Sequence, residues 1–98
     1  MEKRTAHCKL STVKNLVAEG RVRSTESARQ GATAMGIDFD GMCGILNELT
    51  TADFDKSMTT HADHTVWQDV YKPSTPQGDL YVKLTVIDDV LIVSFKEL

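Results

Sequence analysis

The sequence predicts an α+β fold: helices in the first half, packed on a twisted antiparallel β-sheet built from the second. Three observations carry that prediction. From Leu80 onward apolar and polar residues alternate with period two, the signal of a strand with one buried face. Between Ser11 and Leu49 the apolar residues instead recur three and four apart, bracketed by capping residues and glycines. The two regimes do not interleave, so a βαβ layout is not expected.

Ser11 is placed to cap a first helix, with Val13, Leu16 and Val17 at helical spacing and Gly20 as the stop. Residues 20–23 connect through a short extended piece. Ser24 or Thr25 caps a second helix that ends at Gly36. Its apolar positions are only Ala28, Ala32 and Met35, so thin packing or a surface position is expected. Asp38 or Asp40 caps a third helix with Phe39, Met42, Ile45, Leu46 and Leu49 on one side. Gly41 and Gly44 inside it each cost about 1 kcal/mol relative to alanine, and tight packing on the sheet is the expected compensation.

The strands follow. Phe54 to Thr60 is one, then a five-residue loop from His61 to Thr65, then Val66 to Lys72. Residues 73–78 hold two prolines and a glycine and read as a loop, not a strand. The last two strands meet at Asp88-Asp89, since aspartate tolerates positive φ in a tight turn. Closing that turn at Ile87–Val90 pairs Leu84 with Val93, Val82 with Phe95 and Tyr81 with Lys96. Leu80, Val82, Leu84, Val86, Leu91, Val93 and Phe95 then form the core face. Ile87, Val90 and Ile92 fall on the other face, whose hairpin end is expected to be covered. Pairing Pro73 with Gly78 sets Val70 opposite Tyr81 and Gln68 opposite Lys83. The five-residue loop sets Met58 opposite Gln68 and Lys56 opposite Val70. Trp67 and Tyr71 turn toward the core.

The outcome is a single sheet face carrying Lys56, Met58, Gln68, Lys72, Tyr81 and Lys96. It combines cations for phosphate, a phenol able to move a proton, and no metal ligands. A face of that kind can hold and cut an RNA backbone. Each residue also has a plainer reading. Strand lysines guard sheet edges, an aromatic–lysine pair stabilises a sheet by itself, and methionine fills gaps. His61 and His64 flank Asp63 in a loop and lack a third ligand, so no metal or other cofactor is expected. Asp63 and His64 are expected to shape that turn, with His64 folding back toward the strand ends. There is no glycine-rich phosphate loop and no nucleophile elbow.

Composition bounds the rest. The 98 residues suit one domain, 1–98, with one modest core. Apolar residues make up 41% and charged residues 26%, as in an ordinary soluble protein. No apolar run could span a bilayer, and the N-terminus lacks a secretory h-region, so a cytoplasmic protein is expected. Cys8 and Cys43 are then reduced thiols. The net charge of −3 argues against a general nucleic-acid binder. The cations Lys3, Arg4, Lys9, Lys14, Arg21, Arg23 and Arg29 load the first third, and the acids mostly come later.

Several strings together resemble the MqsR toxin family (motility quorum-sensing regulator). They are Met1-Glu2-Lys3-Arg4-Thr5, Gly36-Ile37-Asp38-Phe39-Asp40-Gly41-Met42-Cys43, Lys56-Ser57-Met58-Thr59-Thr60, Asp63-His64-Thr65, Trp67-Gln68-Asp69-Val70-Tyr71 and the run from Asp89 to Glu97. The resemblance implies a RelE-like fold and the toxin half of a type II toxin–antitoxin pair. It implies an endoribonuclease that cuts mRNA at GCU-type sites and halts translation. It also implies neutralisation by a zinc-stabilised MqsA-type antitoxin, through which alone operator DNA is contacted. The functional positions carried over are Lys56, Gln68 and Tyr81 as catalytic residues, with Met58, Lys72 and Lys96 binding substrate. Asp55 stands where the family commonly has an aromatic, and Lys72 where it usually has arginine.

Cleavage without metal requires the 2′-hydroxyl to attack the adjacent phosphate. In this scheme Lys56 and Lys96 stabilise the developing charge, Gln68 orients the phosphate or a base, and Tyr81 handles a proton or positions the hydroxyl. The competing reading is a non-catalytic module that grips RNA or a protein partner with the same face.

Overall fold

The computed structural model describes residues 1–98. The elements run β1 (Glu2–Lys3), α1 (Leu10–Ala18), β2 (Val22–Ser24), α2 (Glu26–Ala34), α3 (Phe39–Glu48), a 3₁₀ turn (Thr51–Asp53), β3 (Phe54–Thr59), β4 (Trp67–Tyr71), β5 (Ser74–Thr75), β6 (Gly78–Ile87) and β7 (Asp89–Glu97). The sheet order is β1-β3-β4-β6-β7-β2, with β5 pairing alongside β6. All pairs are antiparallel except β2–β7, which is parallel. The fold is α+β, and the helices lie on one face of the sheet. The core joins Val13, Val17, Ala28, Ala32, Ile37, Met42, Leu46 and Leu49 to Tyr71, Leu80, Val82, Leu84, Val90, Ile92 and Phe95.

The helix caps differ in one case from expectation. α1 begins at Leu10, and its N-cap is Lys9, which makes no side-chain cap bond; Ser11 lies inside the helix. Thr25 caps α2 by accepting from the Ala28 N–H at 3.1 Å, and Asp38 caps α3 by accepting from the Gly41 N–H at 2.8 Å. α2 does not pack thinly. Its small residues let it lie close against β7, with Ala28 and Ala32 fully buried. A Cβ on Gly31 would sit 2.0 Å from the Phe95 carbonyl oxygen, so only glycine permits this approach. The glycines of α3 are not explained by packing on the sheet. Gly41 is crowded by Ile37 and Asp38, and Gly44 faces open space.

Three registers correct the sequence reading. A bulge in β7 shifts the hairpin, so Leu84 pairs with Ile92 and not with Val93. Val90 and Ile92 therefore enter the core, while Leu91 and Val93 are only half-buried. Tyr81–Lys96 and Val82–Phe95 pair as expected. The Thr25 hydroxyl donates to the Val93 carbonyl at 2.9 Å, and the Thr25 N–H donates to the Ile92 carbonyl at 3.0 Å, so α2's cap secures the irregular stretch. Second, Val70 pairs with Lys83 and not with Tyr81, a slip of two residues that leaves every side chain on its expected face. Third, Ser74–Thr75 forms a short strand against Gly78–Asp79 inside the segment expected to be all loop. At the hairpin tip Asp88 adopts φ 65°, as an aspartate turn allows, but Ile87 is exposed and not covered.

Candidate active site on the open sheet face

The six predicted residues do share the face opposite the helices. Direct cross-strand partners point to the same side. Met58 pairs with Gln68, and Lys56 with Val70, both as expected. Val70 pairs in turn with Lys83, and Lys83 with Ser94. The bond from the Leu80 N–H to the Pro73 carbonyl (2.9 Å) carries the β4–β6 register onward and sets Lys72 beside Tyr81. Tyr81 then pairs with Lys96, whose Nζ lies 5.3 Å from the centre of its ring. The face thus holds two rows, Lys56–Val70–Lys83–Ser94 and Lys72–Tyr81–Lys96, with Met58 and Gln68 beside the first. None of the molecule's five cavities is lined by these residues. The surface is open, as an extended polymer requires.

Three acidic residues complete the face: Glu2, Asp55 and Asp79, of which Asp79 lies two residues before Tyr81 on β6. Sequence reasoning noted Asp55 only as a departure from the family's aromatic and overlooked the other two. Glu2 pairs with Met58 across β1–β3 and so points to the same side. Its Oε1 is 3.1 Å from Lys56 Nζ. Asp55, at a register shift in β3, places Oδ2 3.5 Å from Lys72 Nζ. Lys83 and Lys96 have no such partner. A two-residue strand shows no periodicity, so β1 left no local signal. The one available hint was Glu2-Lys3 beginning the chain with charges and no turn residue.

The opposite side of the same strands is structural. Asp69 is buried and accepts the His7 N–H on Oδ1 (3.0 Å) and the Cys8 N–H on Oδ2 (3.1 Å). That bond pair ties the N-terminal segment across β4. Tyr71 is core, and burial, then the nearby Asp69 and Cys8, pushes its phenol up to about 12. Trp67 is not core. It is half-buried beyond the reach of the helices, stacked on His7 at 5.7 Å with Lys3 Nζ 4.1 Å from its ring centre. Burial, then a neighbouring carboxylate (Asp69 for Cys8, Asp40 for Cys43), raises both thiols above the usual range. Asp63 shapes the β3–β4 loop by accepting from the Thr65 N–H (2.8 Å) and hydroxyl, which holds its carboxyl below the usual range; His64 makes no such bond. No cluster of three or more His, Cys, Asp or Glu side chains is arranged to hold a metal ion.

The family model described as "Motility quorum-sensing regulator, toxin of MqsA" matches residues 5–97. The chain belongs to the MqsR toxin family. It is 60% identical over 97 residues to the mRNA interferase toxin MqsR of Escherichia coli (strain K12), covering 99% of each chain. Membership of the MqsR family was the expectation drawn from the quoted strings. No helix is long and apolar enough to cross a membrane.

Proposed function

We propose that this MqsR-family toxin cuts single-stranded mRNA by attack of the 2′-hydroxyl on the neighbouring phosphate, without a metal cofactor. That the chain is an endoribonuclease follows from its family and from its 60% identity to an mRNA interferase. The finer reading is supported by one observation above the others: Lys56, Met58, Gln68, Lys72, Tyr81 and Lys96 lie together on an open face. Lys56 and Lys96 act as charge-bearing donors to the phosphate oxygens as the phosphorane forms. Gln68 orients the phosphate or a base, Met58 packs on the nucleotide, and Lys72 holds a flanking phosphate as a point charge without arginine's two-pronged fork. Tyr81, with Lys96 over its ring, positions the hydroxyl or moves a proton. The preferred site is GCU-like, the setting is the cytoplasm, and an MqsA-type antitoxin neutralises the toxin and links it to operator DNA.

The test is a defined RNA with one GCU site, mapped at both cut ends with and without chelator. A 2′,3′-cyclic phosphate product, unchanged by chelator, is expected. An oligonucleotide with 2′-deoxy at the cut position should survive intact; its cleavage would refute the chemistry. Lys56→Ala and Tyr81→Phe should each fold, bind antitoxin and lose growth arrest. Arrest persisting in both variants would favour the non-catalytic reading of the face.

A further inference from the structure

We propose that the Glu2 carboxylate is the proton acceptor for the attacking 2′-hydroxyl. The proposal rests on the ribonuclease reading above and names the base that this reading leaves open.

The choice follows from what else the face offers. At neutral pH ordinary amines and phenols hold their protons, and ordinary carboxylates do not. The amines of Lys56, Lys72, Lys83 and Lys96 and the phenol of Tyr81 serve in this scheme as hydrogen-bond donors. Gln68 and Met58 do not titrate. His7 is stacked on Trp67 on the other side of the sheet, and His61 and His64 lie in the β3–β4 loop. Asp69 also faces the other side, with both oxygens occupied by backbone N–H groups. Three carboxylates remain, but Asp79, two residues before Tyr81 on β6 and opposite Ser74, stands in the row beyond Tyr81 and makes no ion pair with Lys56, which leaves Glu2 and Asp55. Asp55 is the more enclosed of the two, with 25% of its side chain exposed against 52% for Glu2. Glu2 also stands beside Met58 and next to the Met58–Gln68 pair. One of its oxygens contacts Lys56 Nζ, and the other accepts no hydrogen bond from the protein. A carboxylate with one oxygen anchored and one free can meet a hydroxyl while the anchoring ammonium meets the phosphate.

The step balances without a further reactant. The 2′-hydroxyl proton passes to the free Glu2 oxygen as the 2′-oxygen bonds to phosphorus. The P–O5′ bond breaks, its electron pair stays on the 5′-oxygen, and that oxygen takes a proton from water. Glu2 then releases its proton to solvent.

Glu2→Gln isolates this role, because the amide oxygen still accepts from Lys56 but cannot take a proton. The assay is cleavage of the one-site RNA from pH 5 to 9, with any tag at the C-terminus because the Met1 main chain pairs with Thr59. The charged groups around Glu2 are Lys56, the Asp55–Lys72 pair, Arg4 on the Asp55 carbonyl, and the Met1 ammonium on Thr59. The parent's rate should rise with pH at the acid end and then level. In Glu2→Gln the turnover should fall about 10²- to 10⁴-fold, with KM within about threefold, and the acid limb should vanish. Glu2→Asp should keep part of the rate and the limb. A Glu2→Gln rate within about threefold of the parent, with the same profile, overturns the proposal. So does a lower KM at unchanged turnover, since the carboxylate would then merely shield Lys56. If the parent cuts the 2′-deoxy oligonucleotide, the ribonuclease reading fails first and this one with it.

Discussion

Replacing Gly31 with alanine should destabilise the protein, although glycine-to-alanine changes inside helices ordinarily stabilise. The ordinary gain is about 1 kcal/mol. At Gly31 the new Cβ would stand 2.0 Å from the Phe95 carbonyl oxygen and 3.1 Å from its carbon. A comfortable C···O contact is about 3.3 Å or longer, so α2 must retreat from β7 by about 1.3 Å. That retreat loosens Ala28 and Ala32, both fully buried against the sheet. Overpacking of this kind costs typically about 1–3 kcal/mol and sometimes more. With backbone as the obstacle, the cost should reach about 3–4 kcal/mol, which leaves a net loss of about 2–3 kcal/mol once the helix gain is subtracted. For a domain of this size that lowers Tm by about 10–20 °C. Gly44→Ala is the matched control. Nothing lies within 4 Å of its added Cβ, so Tm should rise by about 4–8 °C. Calorimetry on the two variants and the parent decides the matter. A Gly31→Ala protein that melts at or above the parent would refute the claim that glycine is needed for the α2–β7 approach. Cleavage supplies a second readout, because Phe95 adjoins Lys96, which sits over Tyr81.

Two further outcomes follow from the buried side of the sheet. Asp69→Asn should cost about 2–3 kcal/mol, because one of two charge-assisted backbone bonds would face an amide NH₂. Urea unfolding should show a lower midpoint at unchanged slope; an unaltered midpoint would contradict the tie between the N-terminal segment and β4. Tyr71 gives a pH dependence. Its phenol rises from 10.0 to about 12 in the fold. Its contribution is therefore complete below pH 10 and is lost as pH climbs toward about 12, since the unfolded chain sheds the proton first. Urea midpoints should fall across that window, and Tyr71→Phe should flatten the fall. An equally steep fall in Tyr71→Phe would assign it to other groups.

Side-chain parity is readable from sequence because Leu80 to Ile87 alternates cleanly and Asp88 marks the turn. That parity puts Lys56, Gln68 and Tyr81 on one face only together with the lengths read for the two connecting loops, since a four-residue β3–β4 loop would turn Lys56 to the far side. The β4–β6 register is not readable to better than two residues, since a two-residue slip preserves parity. The β7 bulge is hidden for a different reason. Val90, Leu91, Ile92 and Val93 are all apolar, so either alternation supplies a hydrophobic core face, and only the tertiary contact with Thr25 distinguishes them. α2 misleads because burial is inferred from large residues, whereas a helix of alanine and glycine buries itself by coming closer. The Glu2–Lys56 pair escapes notice because a cross-strand contact spanning 54 residues leaves no trace in local spacing.

β7 lies inside the sheet, between β6 and β2, yet it is synthesised after every other element. It provides the platform for α2 and carries Lys96. Until that strand leaves the ribosome, the sheet lacks an interior member and Tyr81 lacks its ammonium neighbour. Prematurely terminated chains should therefore be harmless, and a cell making this toxin would be exposed to it only once translation of the message has passed its final strand.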